Sequence, residues 1–215
     1  MKPVFLSHII DERTPCYGGK SGIVLKNVRS IVSGDSCNEM HWSLGNHTGT
    51  HVDAPRHFCQ DGKTVDQWGP AHWVFNKVAL VRLRGITGGQ MIMPDAIGLL
   101  SKDAEFVIIK TGYGRLRGRD AYWQNSPGLH PSLAGWLKRK CPGLRAVGMD
   151  IISVSSLQHR ELGREAHREF LKRGIALVED MKLSLLKKTP YRVVVAPVRV
   201  KDADGAPCTV IAWDR

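Results

Sequence analysis

Three histidines and an aspartate, His47, His51, Asp53 and His57, fall within one stretch of eleven residues. Imidazole and carboxylate are the groups that Zn²⁺, Mn²⁺ and Fe²⁺ take as ligands. Two histidines and one aspartate leave a coordination position open for water, as a catalytic site requires. A divalent ion there lowers the pKa of its water toward about 7 and polarises a carbonyl, so hydrolysis at neutral pH is the chemistry such a set would perform. All four residues are odd-numbered, and odd positions of an extended chain project to one face. Gly49 and Pro55 offer points where the backbone could bend to converge them. Those two residues, with Thr48, Thr50 and Val52 among them, argue against a helix here.

The elements that would carry such a site are mostly strands. Segments 22–28, 78–83, 106–109, 146–149, 175–178, 193–195 and 209–213 are rich in Val, Ile or aromatics and read as strands. Helices are predicted at 94–100, 131–140 and 164–173. In the second, Pro131 suits a first turn, and Leu133, Trp136 and Leu137 share a face. In the third, Gly174 suits the residue just past the C-terminus. Strands outnumber helices and the two are interleaved, which predicts a mixed α/β or α+β domain around a substantial sheet.

Bulk properties narrow the classes. The chain has 215 residues, enough for one sizeable core, and its 42% hydrophobic and 24% charged content is that of a soluble globular protein. No apolar run reaches the roughly 18 residues of a membrane span. Asp11, Glu12 and Arg13 interrupt the first apolar stretch too early for a secretory signal, so a cytoplasmic location is expected. Five cysteines, an odd number with no CxxC pair, argue against a disulfide framework or thiolate zinc site and for small buried hydrophobes. The net charge of +11 permits attraction of an anionic substrate or of nucleic acid. The charge is spread over short clusters such as Arg115, Arg117 and Arg119, without the aromatic interleaving of an RNA or DNA module.

The string from His47 to Phe58, HTGTHVDAPRHF, resembles the HxGTHxDxPxHF signature of the cyclase family of metal-dependent hydrolases, which includes bacterial kynurenine formamidase (arylformamidase) and isatin hydrolase. Leu6-Ser7-His8 is similar to the family's LSH entry segment. Val147-Gly148-Met149-Asp150 with Ser153-Val154 resembles GxDxxSV. His167 to Gly174 followed by Glu179 resembles a second metal motif, HxxLLxxGI…E. Pro197 to Val200 with Asp204-Gly205-Ala206-Pro207 resembles the closing PxKxxGxDGxP segment. Two departures bear on specificity: Cys208 follows Pro207 where many members carry Arg, and Gly18-Gly19 replaces a Pro-Gly turn.

The resemblance implies a single swivelling β/β/α-type domain over residues 1–215, assembled as a dimer or tetramer. It implies that His47, His51 and Asp53 bind one divalent ion, Zn or Mn. Asp53 would bridge to a second ion held by His167, with Glu179 touching both. His57 would be the general acid/base, and Tyr17 would flank an aryl substrate. The implied reaction is amide hydrolysis, N-formylkynurenine to kynurenine and formate, with ring opening of a cyclic amide such as isatin as the alternative. A basic nucleic-acid-binding domain with a structural metal is a rival of another class, and predicts affinity that collapses with salt.

Overall fold

The apolar runs at 106–109, 146–149 and 175–178 become parallel strands buried on both faces, as near-continuous Val/Ile/Leu/Ala runs do when helices cover a sheet. The structure, a computed structural model, describes residues 2–19 and 22–213. In chain order the strands are β1 (Pro3–Phe5), β2 (Val24–Arg29), β3 (Glu39–Ser43), β4 (His51–Asp53), β5 (Val74–Phe75), β6 (Val78–Arg82), β7 (Met91–Ile92), β8 (Phe106–Lys110), β9 (Gly128–Leu129), β10 (Ala146–Met149), β11 (Ala176–Glu179), β12 (Arg192–Pro197) and β13 (Gly205–Trp213). The α-helices are α1 (Ala121–Gln124), α2 (Ser132–Lys140) and α3 (Arg160–Leu171).

Nine strands form one mixed sheet in the order β5-β12-β13-β4-β11-β10-β8-β6, with β1 added to β13. The half from β11 to β6 is parallel. The half from β5 to β4 is antiparallel. Strand β4 is the seam, antiparallel to both neighbours. Its register sets His51 opposite Glu179 and Pro207, and Asp53 opposite Leu177 and Gly205. Opposed residues share a face, so His51, Asp53 and Glu179 project together. Leu177 on that face belongs to the core that Leu133 and Leu137 of α2 and Phe170 of α3 also fill. Val52, Val178 and Ala206 project to the other face, into a second core with Phe75, Val193 and Val210.

The mixed α/β expectation around a large sheet holds. Six of the seven predicted strands lie in the main sheet. The seventh, 22–28, instead pairs with β3 in a separate two-stranded ribbon. The predicted helix 94–100 is a single 3-10 turn, Pro94–Ala96, because Gly98 takes a left-handed φ of 69° soon after. The third helix begins four residues before the predicted start at 164, its first turn masked in the sequence by Gly163, a poor helix former. Gly174 closes it as expected, at φ 68°. Of the five cysteines, Cys141 and Cys208 are the buried hydrophobes expected, but Cys16 and Cys59 are half-buried and Cys37 is exposed.

His72 sits in a 3-10 turn, stacked on Trp68 at 4.3 Å and edge-on to Trp73. Its Nε2 is buried without a hydrogen-bond partner. Burial, aided by the Arg145 and Lys63 charges, pushes its pKa from 6.5 to about 4. The native state therefore binds fewer protons than the unfolded chain between those values, and stability is lost as pH falls through that window. Replacing His72 with Phe keeps the stack and removes the titration. The Tm of the wild type should drop relative to His72→Phe between pH 6.5 and 4. A constant difference between the two melting curves across that range would refute the assignment.

Candidate active site

The stretch from 47 to 57 is not one extended segment. Only His51–Asp53 is strand. Gly49 adopts φ 62°, which turns the chain and brings His47 back over β4 at little steric cost. Pro55–His57 is a 3-10 turn that lifts His57 above the same face. The four residues converge as expected, by a turn on each side of a three-residue strand and not by pleat alone.

His51, Asp53, His167 and Glu179 form the buried floor, each under 6% exposed. His51 Nε2 lies 3.4 Å from Asp53 Oδ1 and 3.5 Å from Glu179 Oε2. His167 Nε2, reaching down from α3, lies 3.6 Å from Asp53 Oδ2 and 3.6 Å from Glu179 Oε1. The Nδ1–H of each ring donates 2.8 Å to a backbone carbonyl, Gly49 for His51 and Gly163 for His167. Both Nε2 atoms are thereby aimed at the carboxylates, the orientation outer partners impose on metal-binding imidazoles. Glu179 is anchored in turn by the Val154 N–H at 2.7 Å and the Ser153 hydroxyl at 3.2 Å.

These residues fit a divalent ion. Asp53 Oδ2 is buried with no hydrogen-bond partner, an arrangement that is costly unless something else satisfies it. Two ligands each about 2.1 Å from one ion at a tetrahedral angle lie about 3.4 Å apart, close to the spacings found. His51, Asp53 and Glu179 make one three-ligand set, and His47, Asp53 and His57 another. Burial lowers the pKa of His51, but Asp53 and Glu179 raise it to about 9. Glu179 and Asp53 likewise raise His167 against burial. Asp53 is held low despite its burial by His47 and His51.

Asp204, to which the sequence reading gave no role, stands beside two of the candidate residues. Its Oδ2 lies 2.9 Å from His47 Nε2 and 2.7 Å from His57 Nδ1. His47 Nδ1 meets Asp53 Oδ1 at 2.8 Å. Gly205, next to Asp204, must be glycine, since a Cβ there would stand 2.4 Å from the His47 ring. The Asp204-Gly205-Ala206-Pro207 segment was visible in the sequence, but no local spacing pointed it at residues so distant in the chain. His57 has its pKa lowered, burial prevailing over Asp53 and Asp204, so its ring is neutral at pH 7. Asp150 of the GxDxxSV-like segment lies apart from the floor and accepts from Thr111 and Gly112.

Above the floor lies a cleft of about 380 Å³. Cys16, Tyr17, Phe58, Ile152 and Leu157 line it, with Arg160 and Arg164 of α3. Tyr17 is 42% exposed on its rim.

Residues 4–156 match the Cyclase family, most of the chain. The chain belongs to the cyclase family. Kynurenine formamidase of Bacillus cytotoxicus is 30% identical over 77% of this chain and 75% of that protein. Kynurenine formamidase of Geobacillus thermodenitrificans is 28% identical over 94% and 92%. Isatin hydrolase A of Labrenzia aggregata superposes with a TM-score of 0.84 over 98% of this chain and 93% of that one, at 23% identity. That likeness shows the cyclase-family fold, which the mixed sheet around β4 reproduces. The family match ends before His167 and Glu179. Their place beside Asp53 comes from the fold, not from that match.

Proposed function

We propose that this protein is a metal-dependent hydrolase of amide C–N bonds acting on an aryl formamide, as a kynurenine formamidase does. The observation that carries this reading is the buried floor, where Asp53 and Glu179 stand between His51 and His167 under an open cleft. His51, Asp53, His167 and Glu179, with His47, would hold one or two divalent ions, Zn or Mn. Such an ion, when bound, acidifies water and polarises the substrate carbonyl.

The chain's own part is to orient and to move a proton. Asp204 accepts the Nδ1–H of His57, which leaves Nε2 unprotonated and able to take a proton from the attacking water. That proton then goes to the leaving nitrogen as the C–N bond breaks, giving formate and the free amine. His57 begins neutral because burial disfavours its charged form. Phe58 and Ile152 add apolar surface to the cleft lining, and a less polar surround strengthens each polar contact in it.

The test is a hydrolysis screen of aryl formamides, alkyl formamides and cyclic amides, with Zn²⁺ and Mn²⁺ each restored to metal-free protein. Opening of a cyclic amide with no turnover of formamides would replace the formamidase reading with an isatin-hydrolase-like one. No hydrolysis of either class would sink both. Within the formamidase reading, Tyr17→Leu should shrink the aryl-over-alkyl preference about threefold to tenfold, because ring stacking contributes about 0.5–1.5 kcal/mol. An unchanged preference would remove Tyr17 from the substrate site.

We also propose a cytoplasmic homo-oligomer. No helix among the described residues is long and apolar enough to cross a membrane, and Met40 and Trp42 of the β2–β3 ribbon are more than half exposed, which supports a partner surface. A single monomeric species in sedimentation velocity would contradict the assembly.

A further inference from the structure

Helix α3 presents Arg160, Arg164 and His167 to the cleft. They are spaced i, i+4 and i+7, one stripe of a helix. His167 is at the floor, so the two arginines climb the same wall from floor to mouth. Seven residues at about 1.5 Å each set the Arg160 backbone about 10 Å along the helix from His167. Arg160 and Arg164 are the lysine or arginine side chains that line this cleft, and its carboxylates, Asp53 and Glu179, lie at the bottom. Arg164 is held by Glu161 at 2.7 Å. Among the described residues Arg160 has no ion-pair partner, and it acts through its charge on the Tyr17 phenol across the rim.

We infer that Arg160, assisted by Arg164, receives a carboxylate carried by the substrate on the side of its ring remote from the scissile amide. The inference rests on the amide-hydrolase reading and adds its specificity. A guanidinium offers a two-pronged donor to a carboxylate. One without an ion-pair partner among the described residues, at the mouth of an aryl-lined cleft and about two helical turns along α3 from His167, selects a substrate with charge at one end and the amide at the other. The net charge of +11 favours the approach of such an anion.

The test uses 3-(4-formamidophenyl)propanoate and its methyl ester, which share ring and formamide and differ in charge. In the metal-loaded wild type the acid should have kcat/KM about tenfold above the ester, a factor equal to about 1.4 kcal/mol. Arg160→Gln should bring the acid down to the ester by raising KM at constant kcat, leave the ester unchanged, and be partly rescued by Arg160→Lys. The wild-type advantage should shrink in high salt. Calorimetry adds a readout without turnover: 3-phenylpropanoate should bind the wild type about tenfold more tightly than Arg160→Gln, and 3-phenylpropanamide should bind both alike. Equal handling of acid and ester by the wild type, or equal losses for both in Arg160→Gln, overturns the assignment. If neither compound is hydrolysed, the amidase reading fails, and calorimetry alone then decides the carboxylate site: a loss confined to 3-phenylpropanoate upholds it, and equal binding overturns it.

Discussion

His51→Ala, purified without chelator, is expected to lose its divalent ion and to lose hydrolysis by about 10⁴-fold or more, since the water it would otherwise activate reverts toward its bulk acidity. His51 Nε2 faces both Asp53 and Glu179, so its removal opens the ligand set at its centre. The folded state should also feel the ion. A ligand present at about 100 times its Kd adds about 2.7 kcal/mol to stability. In a domain of this size each kcal/mol moves Tm by about 2–4 °C, so chelation should lower Tm by roughly 5–10 °C. Elemental analysis, turnover and melting curves on the same preparations would check all three effects. Metal-free protein that keeps full activity and its Tm would end the metal-hydrolase reading.

His57→Ala is expected to keep the ion and to lose turnover by about 10²–10⁴-fold, the usual worth of a general acid–base. The separation from His51→Ala is what matters, because His57 also lies near enough to His47 and Asp53 to complete a ligand set. Its Nδ1 is engaged by Asp204 at 2.7 Å, which frees Nε2 for a proton or for an ion, so the metal content of the variant decides between the two roles. Asp204→Asn should then reduce kcat by about tenfold and leave KM and metal content near wild type, since an orienting partner is worth less than the group it orients. If His57→Ala is as metal-depleted as His51→Ala, His57 is a ligand and the division of labour proposed above is wrong.

The chemistry of the site was legible in the chain because it is concentrated. HTGTHVDAPRHF places four ligand-type side chains within one short segment, and the family resemblance extended the set to His167 and Glu179. Long apolar strands were equally legible, since burial on both faces writes itself as an uninterrupted Val/Ile run in β8. Short elements were not. Strand β4 has three residues and no periodicity to detect, yet it joins the parallel half of the sheet to the antiparallel half.

What the sequence by itself determined was the stock of ligand-type side chains and the cyclase-family pattern they follow. The tertiary structure alone decided which of them meet. The register of β4 against β11 and β13 sets His51 opposite Glu179 and brings Asp204 to His57 across 147 residues of chain. Backbone carbonyls of Gly49 and Gly163 decide which ring nitrogen faces the carboxylates. The docking of α3 turns Arg160 and Arg164 from two surface cations into one wall of the cleft. Such arrangements follow from hydrogen bonds and packing between segments far apart in the chain, and local spacing carries no record of them.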